Sequence, residues 1–191
     1  SAPTIHIDST PNVDQVYTAE VEIVGPITDA LLALGSAYKG QARWEQKAVA
    51  KHREGLRALY YSGRVNGKLN PTDVLDVVRA AMPRNTVVSS DVGSHKLLVG
   101  QGWTTYRPRS VQMTNGLSSM GYSLPAAITA RLIAPEVPSV CFTGDGGLAM
   151  VQGELRLASS LKAGLVVIVF CDNSLNRIEL KQTDKKYQTC G

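Results

Sequence analysis

The sequence lacks a long apolar run and a secretory signal, and it has few cysteines. No stretch of about 18 apolar residues occurs, so no membrane-spanning helix is predicted, and no basic start followed by an apolar segment marks a secreted protein. The cysteines Cys141, Cys171 and Cys190 are odd in number and show no CxxC spacing, which argues against a disulfide framework or a zinc site. Because Cys141 and Cys171 lie within apolar strands, we predict buried, reduced thiols in a cytoplasmic protein.

Two kinds of binding module also lack their motifs. A nicotinamide-dinucleotide-binding module needs G-x-G-x-x-G after its first strand and an acidic residue about 20 positions later, and the chain has no such motif. Much of the net charge of +4 lies in two runs, 47–57 and 177–186. Neither run interleaves its charges convincingly with aromatic residues, so we interpret both as solvated helix faces and predict no nucleic-acid or membrane partner. A dinucleotide-binding module and a basic interaction module are kept as alternatives.

The pattern of helices and strands predicts an α/β fold. The chain of 191 residues, of which 43% are hydrophobic, is long enough for one α/β domain and a piece of another. Short apolar runs alternate with segments of helical period, which predicts a parallel sheet covered by helices on both faces. The predicted strands are 3–9, 21–24, 86–90, 137–143 and 165–171, and the predicted helices are 27–34, 41–60, 71–81, 121–134 and 148–162.

Two strands end in residues that suit a metal ion and a phosphate. Asp145, Gly146 and Gly147 follow one apolar strand, and Asn173 follows the next. One βαβ unit separates the two positions, so both are expected at the same edge of the sheet. A carboxylate and an amide oxygen, beside glycines whose N–H groups can approach a phosphate, suit a Mg²⁺–diphosphate site. The start of the helix after the glycines adds the positive end of a helix dipole.

Three motifs together carry a resemblance to a known family. They are DVGSH (91–95), GLSSMGYSLPAA (116–127) and GDGG (144–147) with the downstream Asn173. The chain resembles thiamine-diphosphate-dependent enzymes of the acetolactate synthase and 2-oxoacid decarboxylase family. The resemblance implies thiamine diphosphate and Mg²⁺ as cofactors, and a doubly wound parallel sheet preceded by the end of a second α/β domain. The implied boundaries are 1–36 for the end of the middle domain, 37–69 for a connecting helix and linker, and 70–191 for the diphosphate-binding domain.

The resemblance also implies a set of metal ligands. Asp145 would bind Mg²⁺ through its carboxylate, Asn173 through its side-chain oxygen and Leu175 through its backbone carbonyl. Diphosphate oxygens and a water would complete the octahedral shell that Mg²⁺ requires. The family often has Asn where this chain has Asp172. A carboxylate there is compatible with the site if it faces away from the phosphates, and otherwise it would repel them or recruit the metal itself.

Further residues are assigned to the cofactor by the same resemblance. Gly93, Ser94 and His95 follow another strand end, and the matching residues of the synthases contact the diphosphate. The backbone carbonyl of Ser118 would accept a hydrogen bond from the 4′-amino group of the pyrimidine. Many relatives have Gly at this position. Met120 would hold the cofactor in its bent shape.

Glu179 is the candidate catalytic residue. It lies six positions after Asn173, where the decarboxylase branch of the family carries a carboxylate and the synthase branch an apolar residue. It could serve as a proton donor or relay on the substrate side. The alternative is a solvated residue on a charged helix.

The implied reaction is decarboxylation of a 2-oxo acid, after which the resulting enamine takes up a proton or a second carbonyl compound. We therefore expect a lyase or transferase with a small-molecule 2-oxo acid substrate and a homodimeric or homotetrameric assembly. In this family a glutamate on an N-terminal domain activates the pyrimidine. The 191 residues contain no candidate for it, so we expect the chain alone to be inactive. Separately, we expect its diphosphate-binding domain to be incomplete at the C-terminal end. A thiamine-diphosphate-dependent 2-oxoacid oxidoreductase subunit remains an alternative.

Overall fold

The computed structural model describes residues 3–14, 16–41 and 44–188. It divides into two compact units, 1–52 and 53–191. The division falls within the segment that the sequence assigns to a connecting helix, and the domain boundaries themselves stay a prediction. Cys190 lies outside the described residues.

The first unit is a small parallel βα arrangement. Strands β1 (Ile5–Asp8) and β2 (Val21–Val24) pair in parallel, and helix α1 (Ile27–Ala37) follows directly. Pro26 stands immediately before α1, where its fixed backbone angle suits a helix entry. Helix α2 (Gln46–Tyr61) then runs across the boundary between the units.

The second unit is a parallel sheet with flanking helices, which confirms the predicted fold class. Its sheet has the order β4-β3-β5-β6, and every pair of neighbours is parallel. Its elements are α3 (Pro71–Ala81), β3 (Val87–Ser90), α4 (Ser94–Gly102), β4 (Val111–Met113), α5 (Ser123–Ile133), β5 (Ser139–Gly144), α6 (Asp145–Val151), α7 (Glu154–Ser160), β6 (Val166–Phe170) and α8 (Asn176–Asp184).

The helix predicted over 148–162 is wrong as a single element. The structure has two seven-residue helices there, α6 and α7, and α6 begins at Asp145, before the two glycines. The break falls at Gln152 and Gly153, where glycine weakens a continuous helix. The structure also contains α4, which the sequence did not predict because two glycines dilute its helical pattern, and the three-residue edge strand β4.

The strand order creates a crevice at one edge of the sheet. The chain leaves β3 toward β4 on one side and leaves β5 toward β6 on the other. Because consecutive connections diverge between β3 and β5, a gap opens beyond the carboxyl ends of these two strands. Such switch points are where open α/β sheets bind ligands.

Strand β5 carries the core of this unit. Val140 and Phe142 face one side of the sheet and pack with α3 and α4 residues such as Leu75 and Val99. Cys141 faces the other side and packs against α5, since side chains alternate along a strand. A slip of one residue would turn every side chain of β5 to the opposite face of the sheet. The alternating pattern therefore fixes the register, and the register positions the strand ends.

The cysteine prediction is half right. Cys141 is fully buried, and burial raises the pKa of its thiol. Cys171 is exposed, because β6 ends one residue earlier at Phe170, so the prediction of a second buried thiol is wrong. None of the helices in the described part of the chain is long and apolar enough to cross a membrane.

Candidate cofactor site

A cavity of about 280 Å³ lies beyond the carboxyl ends of β3, β5 and β6. It occupies the crevice that the strand order creates, and its walls come from the loops after these strands and from the starts of α4, α6 and α8. The volume is at the small end of ligand pockets, which span roughly 300–1,000 Å³. The predicted site residues among its lining are Gly93, Ser94, His95, Met120, Asp145, Gly146, Gly147 and Leu175.

Asp145 and Asn173 meet, as the βαβ spacing predicts. The backbone N–H of Asn173 donates to Asp145 Oδ2 over 3.2 Å, and the N–H of Gly146 donates to Asp145 Oδ1 over 2.8 Å. Asn173 adopts a left-handed backbone with φ of 57°, a conformation that asparagine tolerates better than most residues. The contact is made by the backbone of Asn173, which is not itself among the residues that line the cavity, so the metal site stays a prediction.

The two glycines after Asp145 do different things. A Cβ on Gly146 would lie 3.1 Å from Leu175 Cδ2 and 3.3 Å from Met120 Cε, so glycine keeps the cavity wall open between these side chains. A Cβ on Gly147 would instead lie 3.1 Å from the carboxyl group of Asp91. Gly147 therefore permits close packing beneath the site as well as contributing to its lining.

His95 lines the cavity and carries a buried ring nitrogen without a hydrogen-bond partner among the described residues. Its ring stacks on Phe170 with centroids 5.7 Å apart and 8° between the planes, and the residue is 7% exposed. Nε2 is buried and has no hydrogen-bond partner within the described residues. Burial lowers the pKa of the imidazole below its ordinary value, although the Asp91 carboxylate opposes this. A buried polar atom without a partner at a cavity wall is a natural contact for a ligand.

Asp91 organises the site from below, and sequence reasoning missed this role. The carboxylate is completely buried, yet it accepts hydrogen bonds from the N–H groups of Val92 (2.7 Å) and Gly121 (3.0 Å) and from the hydroxyl groups of Ser123 (3.1 Å) and Thr143 (3.4 Å). It therefore links the ends of β3 and β5 to the start of α5. One signal in the sequence could have indicated this role. Asp91 directly follows an apolar strand and is the first residue of the DVGSH motif, from which only Gly93, Ser94 and His95 were assigned to the site.

Helix α8 is tied to the site at two points. Ser94 Oγ donates to Asn176 Oδ1 over 2.7 Å, which joins the start of α4 to the start of α8. Glu179 accepts a hydrogen bond from the hydroxyl of Ser174, lies on the exposed surface of α8 and is not part of the cavity lining. The contribution of Asn176 was not predicted from the sequence.

The carbonyl of Leu175 is already engaged. It accepts the N–H groups of Ile178 (2.7 Å) and Glu179 (3.1 Å) in the first turn of α8. Binding a metal at this oxygen therefore requires that turn to adjust. Asp172 also lines the cavity, and its Oδ1 accepts the N–H of Ser174 over 3.2 Å.

Ser118 lies outside the cavity lining, in a loop fixed by a lysine. Its backbone has a positive φ of 56°, and its Oγ donates to the carbonyl of Thr114 over 3.1 Å. The ammonium group of Lys96 donates to the same carbonyl and to Ser118 Oγ. Lys96 thus holds the loop that leads to Met120, a function that only the folded chain reveals.

No cluster of three or more His, Cys, Asp or Glu side chains is found in the described part of the chain. A metal here must therefore use amide and carbonyl oxygens and the ligand's own oxygens in addition to Asp145. That donor set suits a hard cation such as Mg²⁺, which is usually held by one or two carboxylates together with substrate phosphates.

The fold and the site together define an α/β domain that binds a phosphate-bearing cofactor at the switch point of a parallel sheet. The family model described as thiamine pyrophosphate enzyme, C-terminal TPP binding domain, matches residues 91–190. The chain belongs to this family. Membership implies thiamine diphosphate and Mg²⁺ as cofactors, as the sequence predicts.

Curated relatives of this chain include acetolactate synthases. The acetolactate synthase of Bacillus subtilis (strain 168) is 28% identical over 194 residues, which cover 97% of this chain and 33% of the relative. Isozyme 1 large subunit of Escherichia coli (strain K12) is 28% identical over 186 residues, with 96% and 33% covered. The probable large subunit of Methanocaldococcus jannaschii is 26% identical over 186 residues, with 93% and 32% covered. The chain thus spans about a third of the length of these curated relatives, and it is a thiamine-diphosphate-binding domain of the acetolactate-synthase-like type.

Proposed function

We propose that this chain is the Mg²⁺–thiamine-diphosphate-binding part of an enzyme that decarboxylates a 2-oxo acid and then protonates or carboligates the product. The observation that carries the proposal is the hydrogen bond from the backbone N–H of Asn173 to Asp145, which lines the cavity, together with His95 in the same lining, whose Nε2 has no partner among the described residues. The similarity to acetolactate synthases supports a transferase or lyase acting on a small 2-oxo acid.

The metal would be held mainly by Asp145 and Asn173. Asp145 already accepts two backbone N–H groups on its carboxylate, which keep it oriented. The side-chain oxygen of Asn173 and the carbonyl of Leu175 are the further proposed ligands. Leu175 is the weaker assignment, because its carbonyl accepts two helix N–H groups.

The diphosphate would lie against the starts of two helices. Gly93 and Ser94 open α4, and His95 offers Nε2 from its first turn. Gly146 and Gly147 lie in the first turn of α6, where the N–H of Gly146 already donates to Asp145 Oδ1 and would have to be shared with the diphosphate. Unpaired N–H groups in first helical turns attract phosphate oxygens.

The pyrimidine side would be formed by the loop that leads into α5. The side chain of Met120 lies close to Gly146 and can support a bent cofactor. The carbonyl of Ser118 is the proposed acceptor for the 4′-amino group, and Lys96 fixes its loop. Thiamine diphosphate, when bound, supplies the electron sink for loss of CO₂. The chain's own part is to anchor, orient and shield the cofactor.

Glu179 is proposed to carry a proton on the substrate side. Its hydrogen bond to Ser174 places the carboxylate near the loop that contains Asn173. Its exposed position on α8 means that substrate or further protein must cover it before it can act selectively. The homodimeric or homotetrameric assembly and the cytoplasmic location also remain proposals.

Calorimetric titration of thiamine diphosphate with and without Mg²⁺ tests the function. We expect binding by the unaltered chain that depends on Mg²⁺, and a loss of affinity of at least about 100-fold in Asp145→Ala, since a charged metal ligand is removed. Asp172→Ala is the matched control, because it removes a neighbouring carboxylate on the same cavity and is expected to bind as well as the unaltered chain or better. Equal affinity for Asp145→Ala and the unaltered chain would overturn the metal assignment.

A further inference from the structure

A second and larger cavity lies in the unit 53–191, away from the cofactor site. It measures about 970 Å³ and is lined by the end of α2, the end of α3 and the segments that enter β3 and β4. Because all strands of the sheet are parallel, these entering segments lie at the amino edge, opposite the crevice that holds the cofactor residues. The two cavities share no lining residue.

The charge of this cavity is almost entirely positive. Four arginines line it, namely Arg53, Arg57, Arg79 and Arg84, against a single carboxylate, Asp76. Asp76 is already neutralised from outside the cavity, because Arg64 donates to it over 2.6 Å. Across the described ranges, none of the four arginines has a carboxylate within ion-pair distance.

Two of the guanidinium groups are held against one aromatic ring. The guanidinium carbon of Arg84 lies 3.7 Å from the ring centroid of Tyr106, and that of Arg79 lies 5.5 Å from the same centroid. Arg79 also stacks over Trp103 at 4.5 Å and donates to the carbonyl groups of Met82 and Pro83. Two like charges fixed near one ring repel each other, and an anion between them would relieve that repulsion.

Tyr60 adds no negative charge to the cavity. Burial raises the pKa of Tyr60 to about 12, so its phenol is neutral at physiological pH and donates to the carbonyl of Leu98 over 3.4 Å. Its ring packs on Gly102, where an added Cβ would lie 2.1 Å from the phenol oxygen. This close contact fixes one wall of the cavity.

We propose that this cavity binds a small polyanion that carries two or more phosphate groups. The guanidinium groups come from three separate segments, α2, the end of α3 and the entry to β3, so they surround a ligand rather than pair with one carboxylate. Planar guanidinium groups match phosphate oxygens in a two-pronged geometry. The concave shape and the volume favour a small molecule over an acidic protein segment.

Binding of inorganic diphosphate and of ADP, each measured calorimetrically at about 0.15 M salt, tests the proposal. The titrations are run without Mg²⁺ in the unaltered chain and in Asp145→Ala, because a change in the cofactor site should leave the affinity of a separate site unaltered. We expect one saturable site, whose affinity falls at least about tenfold in Arg84→Gln and in Arg57→Gln, since each loses a charge-assisted contact. ADP binding more tightly than diphosphate would identify a nucleotide, and equal affinity would identify the phosphates alone as the recognised group.

Arg156→Gln is the matched control, because it removes one exposed positive charge from α7, outside the cavity. It is expected to bind as the unaltered chain does. Each variant's unfolding midpoint in urea, measured in parallel, checks that the exchanged residue leaves the fold intact. The proposal is overturned if no saturable binding occurs at millimolar ligand, if Asp145→Ala abolishes that binding, or if Arg156→Gln weakens binding as much as Arg84→Gln does.

Discussion

The two edges of the same sheet handle charge in opposite ways. At the carboxyl edge, Asp91 and Asp145 accept hydrogen bonds from backbone N–H groups of the loops and helix starts around them. At the amino edge, Arg79 donates to the carbonyl groups of Met82 and Pro83, and Arg131 donates to the carbonyl of Val137 over 2.9 Å. Apart from Lys96 at the carboxyl edge and Asp76 at the amino edge, acidic side chains serve one edge and basic side chains the other.

The direction of the helices explains this division. Each helix that follows a parallel strand starts at the carboxyl edge with free N–H groups and ends toward the amino edge with free carbonyl groups. The aligned peptide dipoles favour negative charge at the first end and positive charge at the second. The topology of a parallel α/β sheet therefore gives its two edges opposite partial charges. The charged side chains at each edge complement the partial charge of the backbone there.

The edges differ also in how deeply the charge is buried. Asp91 is 0% exposed, whereas Arg84 and Arg57 are exposed on the rim of their cavity. A buried charge depends wholly on its protein partners, while an exposed one is also solvated by water. Changes at the carboxyl edge should therefore cost more stability than changes at the amino edge.

The largest effect is expected from Asp91→Ala. The change leaves the N–H groups of Gly121 and Val92 and the hydroxyl of Ser123 without their acceptor in a buried place. We expect the free energy of unfolding to fall by roughly 3–5 kcal/mol, as when one partner of a buried charged network is removed. Urea unfolding measures it, with the exposed Asp172→Ala as control. A loss below about 1 kcal/mol would show that the carboxylate contributes little net stability.

Gly147→Ala is expected to have the next largest effect. The new Cβ would lie 3.0 Å from Thr143 Oγ1 and 3.1 Å from the Asp91 carboxyl group, so the buried cluster must shift. We expect a loss of about 2 kcal/mol from this overpacking. Gly153→Ala is a close control, because it sits between two helices with φ of −58° and an added Cβ meets nothing within 4 Å. If both changes have the same effect on urea unfolding, close packing on Asp91 is not what Gly147 provides.

Much of the carboxyl edge could be predicted from the sequence, because the patterns that indicate it lie within single short segments. The strands β5 and β6 are continuous apolar runs bounded by Gly, Asp and Asn, so their ends were visible, and parallel pairing brought Asp145 and Asn173 together. Helix α4 was missed because its two glycines dilute the helical pattern, and β4 because three residues are too short to show a period.

The residues whose roles were not predicted all act through partners that are distant in the sequence. The acceptor role of Asp91 depends on donors that lie 30 residues away at Gly121 and 52 residues away at Thr143. Lys96 and Asn176 likewise act through partners that only folding brings near. No periodicity or spacing within one segment encodes such contacts. The roles given to all the predicted site residues, among them Ser118, Leu175 and Glu179, stay predictions.

At the amino edge, Arg79→Met is expected to cost less than the changes above. It removes two hydrogen bonds to carbonyl groups and the stacking on Trp103, but solvent can replace part of both. We expect the free energy of unfolding to fall by about 1 kcal/mol. Arg156→Met, on the exposed surface of α7, should change it by less than about 0.5 kcal/mol. A loss for Arg79→Met as large as that for Asp91→Ala would contradict the proposed difference between the edges.

The smallest effect is expected from the titration of His95. Burial lowers the pKa of His95, so the unfolded chain, whose histidine titrates near about 6.5, binds a proton more readily than the folded chain does. The stability due to the neutral ring is therefore complete above about pH 6.5 and declines as the pH falls through the window between that value and the lower pKa of the folded state. Urea unfolding at pH 7.5 and pH 5.5 should show a steeper loss in the unaltered chain than in His95→Gln. His52→Gln, on the exposed surface of α2, should keep the full slope. Equal slopes for the unaltered chain and His95→Gln would mean that the ring is solvated well enough to be charged, and the carboxyl edge would then tolerate a cation as readily as the amino edge does.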